Sequence, residues 1–168
     1  GAGAAHIKSF IKYLKEFNFD KPLNDHLANQ RIIYEPKGIC ALITPWNWPM
    51  NQVCLKVIPA LASGCTMVLK PSEIAPLSSM ILAEIIDEAN FPKGVFNLVN
   101  GDGATTGEEL TRHPNIDMIS FTGSTRAGAL ISQNAAKDFK RISLELGGKG
   151  ANIISVSYTH LTLPTSYA

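Results

Sequence analysis

Apolar side chains near the start of the chain recur at helical spacing. Between residues 5 and 17 they alternate mostly with lysines and other polar residues: Ile7, Phe10, Ile11, Leu14 and Phe17. Because apolar positions at this spacing fall on one side of a helix, the pattern predicts a surface helix with one buried face. After a polar stretch, residues 31–34 and 39–43 predict two short strands around a Pro36-Lys37-Gly38 turn, the second of them buried.

Strands and helices alternate along the rest of the chain. We expect helices at about residues 51–62, 77–89, 105–112 and 125–136. We expect strands at residues 66–69, 95–99, 118–121, 142–145 and 151–154. Short apolar strands separated by amphipathic helices predict an α/β fold with a doubly wound, mostly parallel sheet and helices on both faces.

Composition and charge limit the classes of partner. The chain has 168 residues, of which 45% are hydrophobic and 17% charged, enough to bury one sizeable core. A formal net charge of +1 without basic runs gives no reason to expect nucleic acid or an anionic membrane as a partner. Small-molecule chemistry is the expectation.

The cysteines and the hydropathy bear on location. Cys40, Cys54 and Cys65 are odd in number and show no CxxC spacing, so we expect neither a metal site nor a disulfide framework, and a cytoplasmic location. No apolar run approaches the roughly 18 residues that span a bilayer, and the N-terminus does not resemble a signal peptide. A start at Gly1 is compatible with the loss of a targeting segment.

In a doubly wound sheet, ligands bind beyond the carboxyl ends of the strands. After the strand at 39–43 comes Thr44-Pro45-Trp46-Asn47-Trp48-Pro49, a loop stiffened by prolines and tryptophans in which Asn47 carries the one side-chain amide. An amide N–H held in this way can stabilise an oxyanion. The alternative is a tryptophan-rich packing corner, with Asn47 capping the next helix.

The next strand is followed by Lys70-Pro71-Ser72-Glu73, which places a cation and a carboxylate on a proline-stiffened turn. A carboxylate here can accept both hydroxyls of a ribose and would repel a 2′-phosphate. The alternative is a surface ion pair or a capping pattern.

Two glycine-containing loops follow later strands. Phe121-Thr122-Gly123-Ser124-Thr125-Arg126-Ala127-Gly128 combines a strand end, a tight turn and the start of a helix. Unpaired N–H groups at such a turn can bind a phosphate, although many glycine turns bind nothing. The loop at residues 100–107 is a weaker signal, because its glycines can serve only to turn the chain.

The last candidate is Leu144-Glu145-Leu146-Gly147-Gly148-Lys149, where a lone carboxylate ends an apolar strand. A carboxylate at a strand end can act as a general base, and the glycines would let the backbone accommodate a bulky neighbour. The alternative is a structural ion pair between Glu145 and Lys149.

Together, in their order and spacing, the four motifs at residues 44–49, 70–73, 121–125 and 145–149 resemble the aldehyde dehydrogenase superfamily. The resemblance covers roughly residues 31–154, and the helix at 5–17 is similar to the segment that precedes them in the family. It implies a Rossmann-like NAD-binding domain, incomplete here. We therefore divide the chain into an N-terminal helical segment (1–30), a partial NAD-binding domain (31–154) and a non-native tail (155–168).

The resemblance implies a mechanism in which a cysteine thiolate attacks the aldehyde, hydride passes to nicotinamide, and water hydrolyses the thioester. Asn47 then corresponds to the oxyanion-hole amide. Glu145 corresponds to the base that activates cysteine or water.

The resemblance also implies cofactor contacts along the chain. Lys70 and Glu73 match positions at the adenine ribose, which favours NAD over NADP. Ser72, which lies between them, is also expected to bind the cofactor. The wall along the cofactor is matched by Ile43, Thr44, Pro45 and Trp46, and the glycines at the adenine by Gly103 and Gly107. The turn at the pyrophosphate is matched by Gly123 and Ser124, and the border of the nicotinamide by Leu146 and Gly147.

The chain departs from the family in one respect that concerns catalysis. Family members carry the nucleophilic cysteine some tens of residues after the position of Glu145, beyond the end of this chain. Cys40, Cys54 and Cys65 do not occupy that position and are expected to be small core residues. We expect the chain by itself neither to oxidise aldehydes nor to bind NAD tightly.

Residues 155–168 do not resemble the family. They are similar to a translated transposon sequencing adaptor, so we expect native sequence to end near Ile154 and assign His160 no role. The alternative is a divergent strand followed by a flexible tail.

The function that the resemblance implies is oxidation of an aldehyde to a carboxylic acid with NAD, by a parent enzyme that forms a homodimer or homotetramer. The alternative is a non-catalytic dinucleotide-binding or structural protein derived from the same family. Glu145 argues against a CoA-acylating relative, because hydrolysis needs the base. The particular aldehyde is not indicated by these residues.

Overall fold

The computed structural model describes residues 1–27 and 29–150. The chain begins with α1 (Ala2–Glu16), which confirms the helix expected from apolar spacing. The buried face expected of it is not observed, because Ile11, Leu14 and Phe17 are 49%, 41% and 49% exposed. Strands β1 (Asp20–Pro22) and β2 (Arg31–Ile33) then pair antiparallel as a two-stranded sheet of their own. No strand was expected at β1, because Asp20-Lys21-Pro22 lacks apolar alternation. Its formation depends on pairing with β2.

The remaining strands form one parallel sheet in the order β5-β4-β3-β6-β7. The strands are β3 (Ile39–Ile43), β4 (Thr66–Lys70), β5 (Phe96–Leu98), β6 (Met118–Gly123) and β7 (Arg141–Leu146). The connecting helices are α2 (Pro49–Ala62), α3 (Leu77–Glu88), α4 (Glu108–Arg112) and α5 (Thr125–Ala136). The chain moves outward from β3 to β5 and then returns to β6 on the other side of β3. The crevice between β3 and β6 is therefore a topological switch point, where ligands bind in such folds.

Helices cover both faces of this sheet. On one face, Val53 and Val57 of α2 and Leu82 and Ile86 of α3 pack in one buried cluster with side chains of β3 and β4. On the other face, α5 contributes to a cluster of Ala41, Ile43, Ile116, Ile119, Phe121, Ile131 and Ala135. The expected doubly wound α/β architecture is confirmed.

The boundaries differ from the expectation in particular places. The helix expected at 105–112 is a π-helical turn, Gly103–Gly107, that runs into the short α4. Asp102 caps this turn, because its Oδ1 accepts from the Thr105 N–H at 2.7 Å and from its hydroxyl at 2.8 Å. Strands β4, β6 and β7 extend beyond their apolar runs, because backbone pairing does not require apolar side chains. The strand expected at 151–154 and the tail at 155–168 lie outside the described residues.

Alternation along β6 and β7 gives the sheet one apolar and one polar strip. Ile119, Phe121, Ile142 and Leu144 pack in the cluster that includes α5. The intervening residues point to the opposite face because successive strand side chains alternate: Ser120, Thr122, Ser143 and Glu145. No helix in the described chain is long and apolar enough to cross a membrane.

Replacing Ile119 by Val tests the importance of the buried strand β6. Ile119 is fully buried, so we expect Ile119→Val to lower the free energy of unfolding by about 0.5–1.5 kcal/mol. Ile81→Val is the matched control, because Ile81 is 54% exposed. Urea-unfolding midpoints measure both; equal losses in the two variants would contradict this packing.

Candidate functional site

The carboxyl ends of β3, β6 and β7 open into a cavity of about 980 Å³. Three parts of the chain line it. They are the β3–α2 loop, one side of α2, and the polar strip of β6 and β7 with the loops that follow. The lining residues are Pro45, Trp46, Asn47, Gln52, Leu55, Lys56, Ser120, Thr122 to Thr125, Ser143, and Glu145 to Lys149. Both expected catalytic residues, Asn47 and Glu145, therefore lie at one cavity.

The loop that carries Asn47 is neither a packing corner nor a helix cap. Trp46 and Trp48 are 53% and 63% exposed, so they do not form a packed corner. Helix α2 begins at Pro49, and the residue at its N-cap is Trp48, without a side-chain capping bond. Within the described residues the Asn47 amide makes no internal hydrogen bond. Its N–H groups are free to bind a ligand in the cavity.

Glu145 lies on the polar strip opposite Thr122, its register partner on β6. Its side chain is exposed and forms no ion pair with Lys149 in the described part of the chain. The structural ion pair considered as an alternative is therefore not observed there. An exposed carboxylate at this cavity can accept a proton from a group bound beside it.

Lys56 is a site residue that the sequence analysis missed. It lies in α2 with 9% of its surface exposed, and its Nζ donates to Ser120 Oγ at 2.8 Å. Burial lowers the pKa of this ammonium to about 8, and attraction to Glu145 offsets part of that effect. The available signal was a single lysine in the otherwise apolar run Val53-Cys54-Leu55-Lys56-Val57-Ile58.

A second cavity, a slot of about 320 Å³, lies between the Gly103–Gly107 turn with α4 on one side and α5 on the other. Ile43 and Phe121 line it from the sheet. Its walls are mostly apolar: Gly103, Ala104 and Gly107 face Ala127, Leu130 and Ile131. Of the expected cofactor residues, Ile43, Gly103 and Gly107 line this slot. Its mostly apolar walls suit an aromatic ring.

Lys70 and Glu73 lie at the end of β4. Lys70 is 2% exposed, and its Nζ donates to the Pro71 carbonyl at 3.0 Å and lies 3.6 Å from Glu73 Oε2. A methyl group on Gly107 would lie 3.6 Å from Lys70 Cε, so the lysine side chain passes beside the slot. This is a buried cation with an exposed carboxylate, which differs from a surface ion pair. Ser72 Oγ accepts weakly from the Ile74 N–H at 3.4 Å.

The Gly123–Ser124 turn connects β6 to α5. Ser124 is the N-cap of α5, and its Oγ accepts from the Ala127 N–H at 3.2 Å. A Cβ added at Gly123 would overlap the Phe121 ring, so a larger residue there would force this buried ring to move. Thr44 is 3% exposed, and its hydroxyl has no partner among the described residues. Pro45, Trp46, Gly123, Ser124, Leu146 and Gly147 line the open cavity, whereas Thr44, Lys70, Ser72 and Glu73 line neither cavity.

None of the three cysteines lines either cavity. Burial, followed by the nearby Cys65 thiol, raises the pKa of Cys40 to about 12, and burial also raises that of Cys54. Burial acts in the same direction on Cys65, but hydrogen bonds from Ser63 and from backbone groups outweigh it and lower its pKa. Cys40 and Cys65 lie toward the amino ends of β3 and β4, away from the candidate site. Across residues 1–27 and 29–150, no cluster of three His, Cys, Asp or Glu side chains could hold a metal ion.

The fold and the position of the site define a Rossmann-like domain of the kind that binds NAD in aldehyde dehydrogenases. The sequence profile of the Aldehyde dehydrogenase family matches residues 2–159, and the chain belongs to that family.

Individual relatives agree with this assignment. The chain is 57% identical over 153 residues to a Pseudomonas 3-succinoylsemialdehyde-pyridine dehydrogenase, covering 91% of this chain and 31% of the relative. A Bartonella henselae aldehyde dehydrogenase structure superposes with a TM-score of 0.87 at 63% identity, over 90% of this chain and 32% of that one. The structure of a mutant of Pseudomonas syringae aldehyde dehydrogenase C, in complex with NAD+ and octanal, superposes with a TM-score of 0.84 at 50% identity. The match covers 90% of this chain and 30% of that one. The chain thus spans about a third of the length of these relatives.

The buried ammonium of Lys56 predicts a pH dependence of stability. Below about pH 8 the lysine is charged in both the folded and the unfolded chain. Between about pH 8 and the ordinary lysine pKa of 10.5, only the unfolded chain holds this proton, so the free energy of unfolding rises with pH. Lys56→Met lacks this effect. As the pH is raised from below 8 to 10.5, we expect the free energy of unfolding of the variant to fall behind that of the unsubstituted chain by on the order of 3 kcal/mol. One pKa unit corresponds to about 1.4 kcal/mol.

Urea midpoints of both proteins between pH 7 and 10.5 measure this difference. Lys12→Met, in the exposed part of α1, is the control for the loss of a lysine at the surface. Glu145→Gln removes the attraction that holds the Lys56 proton, so the rise should begin at a lower pH. A pH-independent difference between Lys56→Met and the unsubstituted chain contradicts the assignment.

Proposed function

We propose that this chain is the cofactor-binding and oxyanion-stabilising part of an NAD-dependent aldehyde dehydrogenase, which oxidises an aldehyde to a carboxylic acid. The observation that carries the proposal is the placement of the Asn47 amide and the Glu145 carboxylate at one open cavity, at the sheet edge that also holds the slot. The complex of the Pseudomonas syringae relative with NAD+ and octanal supports it.

The described residues fit an NAD molecule at four places. The slot between the Gly103–Gly107 turn and α5 has the size and apolar walls that an adenine ring requires. The exposed Glu73 carboxylate beside the buried Lys70 can accept ribose hydroxyls, and it disfavours the additional phosphate of NADP. The Gly123–Ser124 turn at the start of α5 presents backbone donors to a pyrophosphate. Leu146 and Gly147 then border the nicotinamide.

The chemistry divides between this chain and residues outside it. NAD supplies the acceptor for hydride. Asn47 donates an N–H to the oxygen of the aldehyde as negative charge develops there. Glu145 takes a proton from the attacking thiol or from the water that hydrolyses the acyl group. The nucleophilic thiol is proposed to come from outside this chain, since Cys40, Cys54 and Cys65 line neither cavity.

Lys56 extends this proposal to the floor of the cavity. Its ammonium donates to Ser120, and attraction to Glu145 favours the charged form of the lysine. Lys56 is therefore proposed as a residue that places a positive charge at the same cavity as Glu145. Assembly as a homodimer or homotetramer, and a cytoplasmic location, are proposed on the family resemblance alone.

The proposed role of Asn47 is tested in a chimera in which residues 1–150 replace the matching segment of the Bartonella henselae enzyme. We expect Asn47→Ala to lower kcat by about 10²–10³, the usual cost of losing one oxyanion donor, while NAD affinity is retained. Gln52→Ala is the matched control, because Gln52 is an amide that lines the same cavity from α2. An unchanged kcat in Asn47→Ala, or an equal loss in Gln52→Ala, would reject the assignment.

The 168-residue chain by itself should not turn over aldehydes and should bind NAD weakly. It lacks a thiol at the site, and apolar side chains beside the cavity, such as Trp46 and Leu146, are 53% and 42% exposed. NADH formation with NAD and a panel of aliphatic and aromatic aldehydes measures turnover, and titration calorimetry measures binding. The chimera serves as the positive control; steady NADH production by the isolated chain would refute this expectation.

A further inference from the structure

Arg126 lies on one rim of the slot. It is the second residue of α5, and it forms that rim together with Leu130 and Gln133, all three exposed. The opposite rim consists of Ala104, Glu108 and Arg112. The slot therefore has a charged side chain at its mouth on each side.

The charges on the two rims are not equivalent. Glu108 and Arg112 form an ion pair within α4, with Oε1 and Nη2 2.5 Å apart. Lys70, the other cation beside the slot, is held by Pro71 and Glu73. Arg126 makes no ion pair with any of the described residues. Its guanidinium is thus available to an anionic ligand.

The direction of the Arg126 side chain follows from its place in the helix. Side chains of an α-helix lean toward its amino end, which for α5 is the Gly123–Ser124 turn. A side chain that leans this way from position 126 lies between the slot, which Arg126 lines, and the turn that ends two residues before it. A ligand that fills the slot and continues past this turn comes within reach of the guanidinium.

We propose that Arg126 binds the adenosine-side phosphate of the dinucleotide whose adenine occupies the slot. This inference rests on the proposed function. The start of a helix supplies roughly half a unit of positive charge, whereas a pyrophosphate carries about two negative charges, so a further cation stabilises it. A guanidinium can form two charge-assisted hydrogen bonds with a phosphate, and Arg126 is an unpaired arginine two residues after the turn.

Binding of adenosine, AMP and NAD to the chimera tests this inference, by displacement of fluorescent NADH at low salt. Arg126→Met keeps most of the apolar stem and removes the charge. We expect it to weaken AMP and NAD about ten- to hundredfold, as for the loss of a hydrogen bond to a charged group, and to leave adenosine unchanged. Arg126→Lys should recover most of the loss. The salt dependence of AMP affinity should also be smaller in Arg126→Met.

Arg141→Met is the matched control, because Arg141 is an exposed arginine at the amino end of β7 and lines neither cavity. It should change AMP affinity less than twofold. Equal weakening of adenosine and AMP in Arg126→Met, or no change in either, overturns the role of Arg126 while leaving NAD binding intact. If the unsubstituted chimera does not bind NAD, the slot is not a dinucleotide site, and the proposed function fails together with this inference.

Discussion

Strand β3 is buried on both faces and hydrogen bonded along both edges, and the candidate site depends on this arrangement. Its residues Cys40 to Ile43 are at most 8% exposed, and β4 and β6 pair with it in parallel. A parallel strand in this position needs apolar side chains on both faces, which Ile39-Cys40-Ala41-Leu42-Ile43 supplies. Because β4 lies on one side of β3 and β6 on the other, a crevice opens beyond the carboxyl end of β3. The loop with Asn47 starts there.

The outer half of the sheet adds the polar part of the site. Strands β6 and β7 pack Ile119, Phe121, Ile142 and Leu144 on the α5 side of the sheet and place their polar residues on the other face. Burying Lys56 next to that polar strip costs free energy, since an ammonium is less stable away from water, and the bond to Ser120 compensates only in part. Such a buried cation near a carboxylate is typical of sites where ionisation is tuned.

Much of the fold was predictable because it follows from local patterns. Strand β3 and helix α5 have the expected bounds, since a five-residue apolar run and a serine-capped helical pattern are strong signals. Helix α2 starts two residues earlier than expected, because Pro49 fits the first turn of a helix. The polar strand β1 and the π-helical turn at Gly103–Gly107 were missed. Both depend on partners distant in sequence or on a geometry that glycines permit without specifying.

Of the candidate site, the sequence by itself determined which chemical groups follow each strand: an amide after β3, a cation and a carboxylate after β4, a glycine turn after β6 and a carboxylate at the end of β7. These choices are local, and the family resemblance rests on them. Only the tertiary structure decided that Asn47, Glu145 and Lys56 share one cavity and that Arg126 lies on the rim of a separate slot. Strand order, helix packing and burial bring these residues together across the chain, and no local pattern contains that information.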